Sequence, residues 1–102
     1  VTAVSGSGPA YLYMVIEAMA DAGVREGLSR ASALELAAQT ALGSAKMVLE
    51  SGLHPAALRD MVCSPGGTTI DAVCTLEEKG LRAAVESAVR VCAEKSRAMS
   101  KQ

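Results

Sequence analysis

The sequence contains no phenylalanine and no tryptophan, and its two aromatic side chains are Tyr11 and Tyr13. Such a chain has little with which to stack nucleic-acid bases. Its ten lysines and arginines are scattered singly, and the net charge is −1. Binding to a phosphate backbone requires a clustered basic patch, which the sequence lacks. We therefore expect no nucleic-acid partner.

The sequence also lacks a long uncharged run. Its most apolar segment, residues 9–24, is interrupted by Glu17 and Asp21, whereas a membrane-crossing helix needs about 20 mostly uncharged residues. The chain opens at Val1 without a positively charged segment, so we expect neither a signal peptide nor a membrane partner.

Cysteine and histidine are scarce. The three cysteines, Cys63, Cys74 and Cys92, form no CxxC pair, and His54 is the single histidine. An odd number of isolated thiols is typical of reduced cysteines in a cytoplasmic protein, where they fill space. No spacing of His, Cys, Asp and Glu predicts a metal site.

What is present predicts one all-α domain of five helices. Half of the residues are hydrophobic, which excludes disorder, and 102 residues provide for one core. No segment alternates apolar and polar residues over the length of a strand. Glycines, prolines and capping residues predict where the helices begin and end. The helices are predicted at 10–26, 30–51, 55–62, 69–79 and from 81 to a frayed end at 96–102. The predicted N-caps are Ser7, Ser29 and Thr68, and His54 is predicted to cap the start of a helix.

The first two predicted helices are apolar on nearly every face. Such helices are normally buried on all sides. A short chain without large aromatic side chains buries little area per residue, so it has difficulty covering both helices by itself. The pattern therefore favours an interlocked oligomer.

Two glycine-rich segments precede helices. The first, which we call the 5–9 turn, lacks the full spacing of a dinucleotide fingerprint and the lysine of a Walker loop. It is either a tight start to a crowded helix or a place where backbone closely approaches a ligand. Its residues are Ser5, Gly6, Ser7, Gly8 and Pro9.

The second segment, the 64–69 loop, has two glycines directly before a predicted helix. Consecutive N–H groups at such a helix start can surround a carboxylate or phosphate, and the helix dipole adds partial positive charge. Nearby hydroxyls can donate or accept. The alternative is an ordinary turn between helices with a threonine cap. The residues are Ser64, Pro65, Gly66, Gly67, Thr68 and Thr69.

Three further residues are weaker candidates. His54 precedes Pro55, which favours a helix cap over a general base. Cys63 lies beside the 64–69 loop, but a nucleophile needs a nearby base and no second histidine exists. Lys46 would be the candidate catalytic residue if the chain were the helical half of a different Rossmann-type dehydrogenase that uses a catalytic lysine.

The 64–69 loop, followed by Ile70, Ala72-Val73 and Leu76-Glu77, resembles the signature of pyrroline-5-carboxylate reductases. The 5–9 turn with Ala10-Tyr11 and the central Gly43-Ser44-Ala45-Lys46-Met47 also resemble that family, and the similarity covers essentially the whole chain. The resemblance implies a fold like the C-terminal domain of 6-phosphogluconate dehydrogenase, interlocked in a homodimer and sometimes in a pentamer of dimers. Residues 1–102 would form the C-terminal dimerisation and substrate-binding domain, and the N-terminal Rossmann domain would be absent.

The resemblance also implies a reaction and a site. Members reduce 1-pyrroline-5-carboxylate to L-proline with NADPH or NADH, which the Rossmann domain mainly binds. By that resemblance the substrate carboxylate would be held by Ser64, Gly66, Gly67, Thr68 and Thr69, with Thr69 near the pyrroline nitrogen as the catalytic residue. The 5–9 turn would lie near the nicotinamide, and one subunit's nucleotide domain would meet the partner's helical domain.

Two other functions are compatible with the residues alone. One is a non-enzymatic helical association module, in which the glycine turns serve only geometry. The other is the helical half of a different Rossmann-type dehydrogenase.

Overall fold

The computed structural model describes residues 1–100, which are helical apart from short connections and contain no strand. This confirms the predicted all-α fold and its five helices. A single π-type helical turn at Thr2–Gly6 comes first. The helices are α1 (Gly8–Arg25), α2 (Arg30–Ser51), α3 (Pro55–Val62), α4 (Thr68–Glu78) and α5 (Leu81–Ser100).

The π turn was not predicted from sequence. The Ser7 N–H closes it by donating to the Thr2 carbonyl over 2.9 Å. Five residues are too few to show a hydrophobic period, and π turns have no sequence signature comparable to a cap. The 5–9 turn therefore combines the end of this π turn with the beginning of α1.

The predicted bounds of α2 and α3 are confirmed together with their caps. The Ser29 hydroxyl accepts a hydrogen bond from the Ser32 N–H over 3.2 Å, and α2 ends at Gly52 with a φ of 71°. The Nδ1 atom of His54 accepts from the Ala56 N–H over 3.0 Å. His54 thus acts as a helix cap, the favoured of its two interpretations.

The prediction that Thr68 caps α4 is wrong. Thr68 is the first residue of α4, and Gly67 occupies the cap position with extended backbone and no side-chain hydrogen bond. A threonine beside a glycine is ambiguous in sequence, because both residues occur at N-caps.

Other helix ends differ by small amounts. Helix α1 ends at Arg25 rather than residue 26, and α4 ends at Glu78 rather than residue 79. The fraying expected from Ser96 does not occur, since α5 remains helical to Ser100. The last two residues of that expectation, 101 and 102, lie outside the described residues.

The chain divides into two compact units. One is Leu12–Asp60, in which α1 and α2 meet through small side chains. Ala20, Ala33 and Ala37 form its buried cluster. A methyl group added at Gly23 would come within 3.3 Å of the Ala33 Cβ atom, so the missing side chain allows the close approach.

The other unit comprises Val1–Tyr11 and Met61–Gln102. Its described part packs the π turn against α5 and α4 against α5. Ala3 of the π turn is its buried apolar residue. This unit contains both glycine-rich segments that the sequence singled out.

Among residues 1–100, the buried side chains are only the four alanines named above. Many large apolar side chains are exposed, including Leu42 at 62% and Leu49 at 84%. Burying apolar area is the main stabilising contribution to folding. In the single chain these large apolar side chains remain in contact with water and add little to stability. None of the described helices is long and apolar enough to cross a membrane.

Candidate functional site

The 64–69 loop begins with a tight turn. The Gly67 N–H donates to the Ser64 carbonyl over 3.0 Å, which closes a four-residue turn with Pro65 and Gly66 at its centre. Gly66 has a φ of 67°, a conformation that proline followed by glycine favours. The Gly67 N–H, predicted to face a ligand, is therefore already engaged within the turn.

The N–H groups that remain open belong to the start of α4. Thr68 and Thr69 lie in its first turn, where helical geometry supplies no carbonyl partner. Gly67 has no side chain to cap them. Serine caps the start of α2 in the usual way, so α4 differs in having its first N–H groups available to an outside acceptor.

Three residues with hydroxyl groups lie at this helix start. Ser64, Thr68 and Thr69 are all exposed, whereas Gly67 between them is half-buried. A Cβ atom at Gly67 would collide with the Ser64 Oγ atom. The Ser64 side chain can occupy its observed position because residue 67 is glycine. Open N–H groups, hydroxyl donors and the helix dipole together suit a carboxylate.

The 5–9 turn is held by side-chain hydrogen bonds. Ser5 Oγ donates to the Val1 carbonyl over 2.9 Å. The Cys92 thiol of α5 donates to Ser7 Oγ over 3.3 Å. The Tyr11 hydroxyl donates to the Ala3 carbonyl over 3.0 Å. Neither Tyr11 nor Cys92 was predicted as a site residue, because 85 residues separate Ser7 from Cys92 and no local spacing indicates their contact.

Tyr11 is half-buried, whereas Tyr13 is 69% exposed. Partial burial raises the pKa of Tyr11 above 10.0, and the neighbouring Cys92 thiol raises it further. Both causes disfavour the charged phenolate.

This shift predicts a loss of stability at alkaline pH. The fold favours the neutral phenol, so its contribution is complete below the unfolded pKa of 10.0 and disappears as pH rises through the higher folded pKa. We expect the free energy of unfolding to fall above pH 10 more steeply in the unmodified chain than in Tyr11→Phe. Urea denaturation of both at one protein concentration from pH 8 to 11.5 measures the difference, and parallel curves would contradict it.

A cavity of about 620 Å³ lies beside the 5–9 turn, between the π turn and α5. It is largely apolar, and no residue of the 64–69 loop lines it. The two glycine-rich segments therefore do not share this cavity within one chain. Its lining includes Thr2, Ser7, Tyr11, Val91, Cys92 and Met99.

The weaker candidates gain no support. Lys46 has an exposed side chain 4.0 Å from Glu50, one turn further along α2, which is an ordinary surface pair. Cys63 is half-buried beside the 64–69 loop, and the one histidine uses Nδ1 in capping. Among residues 1–100, no group of three or more His, Cys, Asp and Glu side chains could hold a metal ion.

The fold and the candidate site define an all-helical domain with a large uncovered apolar surface and one open helix start between hydroxyl groups. A family model described as "Pyrroline-5-carboxylate reductase dimerisation" matches residues 1–99. The chain belongs to the pyrroline-5-carboxylate reductase family and corresponds to that dimerisation domain.

Individual relatives agree. The chain is 65% identical to pyrroline-5-carboxylate reductase of Escherichia coli K12 over 99% of its length, and 58% identical to that of Methanosarcina acetivorans over all of it. It covers 38% of either relative.

A solved structure has a closely similar backbone. The Plasmodium falciparum pyrroline carboxylate reductase with NADP bound superimposes with a TM-score of 0.92 at 45% identity, over 96% of this chain and 37% of that one. The structure from Streptococcus pyogenes gives a TM-score of 0.92 at 46% identity, over 95% of this chain and 38% of that one.

Proposed function

We propose that this chain is the dimerisation and substrate-binding part of an enzyme that reduces 1-pyrroline-5-carboxylate to L-proline with NADPH or NADH. The observation that carries the proposal is the glycine-capped start of α4, whose open N–H groups lie beside the exposed hydroxyls of Ser64, Thr68 and Thr69. Similarity to reductases bearing that name supports it. The Rossmann domain that binds most of the cofactor would lie in the part of the protein not covered by these 102 residues.

The substrate carboxylate would bind at the start of α4. The N–H groups of Thr68 and Thr69 would donate to it, with the Ser64 hydroxyl donating from the side. Gly66 and Gly67 shape the turn that leads into the helix, and the Gly67 N–H keeps its partner within that turn. A site of fixed donors orients a small cyclic acid without having to reorganise as the reaction proceeds.

Nicotinamide, when bound, supplies the hydride that reduces the C=N bond of the substrate. The reaction also adds a proton to the ring nitrogen. The Thr69 hydroxyl would lie near that nitrogen and position it, or relay a proton from water, because a threonine hydroxyl is a poor acid.

Gly6, Gly8 and Pro9 would shape the backbone of the 5–9 turn at the nicotinamide end, with Ser5 and Ser7 supplying its hydroxyls. The cavity that Ser7 lines is the feature of this chain that fits such a neighbour.

The working form would be a homodimer. The single chain buries four alanines and exposes most of its leucines and methionines, and its family model is that of a dimerisation domain. The site would form between one subunit's nucleotide domain and the partner's helical domain. Dimers would assemble further into a pentamer of dimers in some members, and the free thiols suit a cytoplasmic location.

Two measurements test the proposed function. The intact mass of the native gene product should be near two and a half times the 10.4 kDa of this chain, as its share of the relatives indicates. That complete protein should oxidise NADPH when pyrroline-5-carboxylate is added, whereas the 102 residues alone should not. A native mass near 10.4 kDa, or a complete protein without this activity, would instead favour a helical association module.

A further inference from the structure

We infer that Cys92 is a positioning residue that holds the Ser7 hydroxyl ready to donate toward the cofactor end of the site. Tyr11 fixes the backbone on which Ser7 is carried. This inference rests on the proposed function, because that proposal is what brings a nicotinamide close to the 5–9 turn.

The contact between Ser7 and Cys92 joins two elements that are distant in sequence. Ser7 follows the π turn and Cys92 lies in α5, and both are half-buried. The thiol donates to Ser7 Oγ over 3.3 Å. A hydroxyl oxygen that accepts one hydrogen bond still carries its own proton, and that proton turns away from the donor. The thiol therefore selects the direction in which Ser7 can donate.

The backbone of Ser7 is fixed independently. Its N–H donates to the Thr2 carbonyl over 2.9 Å, and its carbonyl accepts from the Ala10 N–H over 3.0 Å. With both main-chain groups engaged, the side chain is the part of Ser7 that retains a free donor. Its neighbour Ser5 differs, because its hydroxyl proton is already donated to the Val1 carbonyl.

Tyr11 supports the same arrangement from α1. Its hydroxyl donates to the carbonyl of the buried Ala3 over 3.0 Å, which ties the first turn of α1 to the π turn. The raised pKa of Tyr11, caused first by burial and then by Cys92, is consistent with a tight cluster. The cavity of about 620 Å³ beside this cluster is where a ligand could accept a hydrogen bond from the Ser7 hydroxyl.

Removing the thiol should weaken cofactor binding selectively. In Cys92→Ala the Ser7 oxygen loses its donor, so the hydroxyl can turn inward and no longer point toward the cavity. We expect the Kd and KM for NADPH to rise about five-fold, the size of one hydrogen bond. The KM for pyrroline-5-carboxylate should change less than two-fold, because the 64–69 loop does not line this cavity.

The experiment uses the complete protein and four variants. Cys92→Ser keeps a donor at the same place and should restore most of the affinity. Ser7→Ala should match Cys92→Ala, and the double variant should be no worse than either alone, since both remove the same interaction. Cys74→Ala, at an exposed cysteine of α4, is the matched control and should bind NADPH normally. NADPH fluorescence without substrate gives Kd, steady-state kinetics give both KM values, and thermal unfolding reports structural damage.

The outcomes distinguish the positioning role of Cys92 from the proposed function. Unchanged NADPH affinity in Cys92→Ala, or an equal rise in both KM values that Cys92→Ser does not repair, overturns the positioning role while the proposed function stands. A complete protein that binds NADPH but does not reduce pyrroline-5-carboxylate overturns the proposed function, and the Kd values still decide the role of Cys92. A complete protein that binds neither NADPH nor NADH overturns both.

Discussion

A chain carrying Leu42→Asp is expected to dissociate at concentrations where the unmodified chain is dimeric. Leu42 lies midway along α2 and is 62% exposed in the single chain, on a stripe with Leu34 and Leu49. Burying an unpaired carboxylate costs at least about 2 kcal/mol per chain, or about 4 kcal/mol per dimer. The dissociation constant should therefore rise by roughly 1,000-fold, which sedimentation equilibrium can measure.

Unfolding should follow dissociation in this variant. The monomer buries four alanines, which is too little apolar area to offset the entropy of ordering the chain. Helical circular dichroism should thus disappear over the same dilution range as the dimer. Ser32→Asp is the matched control, because it adds the same charge to α2 at an exposed position ten residues from Leu42 and on a different side of the helix. A folded Leu42→Asp dimer of unchanged affinity would show that the α2 stripe is not the interface.

Thr69→Ala in the complete protein is expected to lower kcat about 100-fold while the dimer remains intact. Positioned groups that assist proton transfer typically contribute factors of about 10² or more. If the Thr69 hydroxyl acts mainly at the pyrroline nitrogen in the transition state, kcat and kcat/KM should fall together and KM should change little. Steady-state kinetics with pyrroline-5-carboxylate varied at saturating NADPH separate these quantities.

The same helix provides the control for Thr69. Thr75 is also exposed, but its hydroxyl donates to the Asp71 carbonyl over 3.0 Å along the helix surface, so Thr75→Ala should keep full activity. Thr69→Ser retains the hydroxyl and should recover much of the rate. Full activity in Thr69→Ala would exclude the proposed role.

The fold was largely predictable because its helix boundaries are marked by local chemistry. Ser29, His54 and Gly52 each specify a boundary through their own hydrogen bonds or backbone angles, so no distant contact is needed to find them. The cap of α4 was missed because Gly67 and Thr68 are adjacent residues of types that both serve as caps.

The candidate site was only partly predictable. The 64–69 loop is contiguous, so the sequence identified its residues, although it did not indicate that the Gly67 N–H turns back to Ser64. The Ser7–Cys92 and Tyr11–Ala3 contacts depend on how α5 and α1 pack against the π turn. Such contacts are set by tertiary packing, which spacing along the chain does not encode.

The 64–69 loop at the start of α4 contains no ionisable side chain, since it consists of serine, proline, glycine and threonine, and the acidic group nearest to it along α4 is Asp71 in the first turn of the helix. Peptide N–H groups and aliphatic hydroxyls keep the same protonation state throughout the physiological range. No group of the loop changes its charge in that range, so protonation of the loop does not alter its hold on a bound carboxylate. The loop also has no lysine or arginine whose ion pair with the carboxylate salt could weaken. Its affinity for this loop would then be nearly constant while the acidity of the surroundings varies over the physiological range.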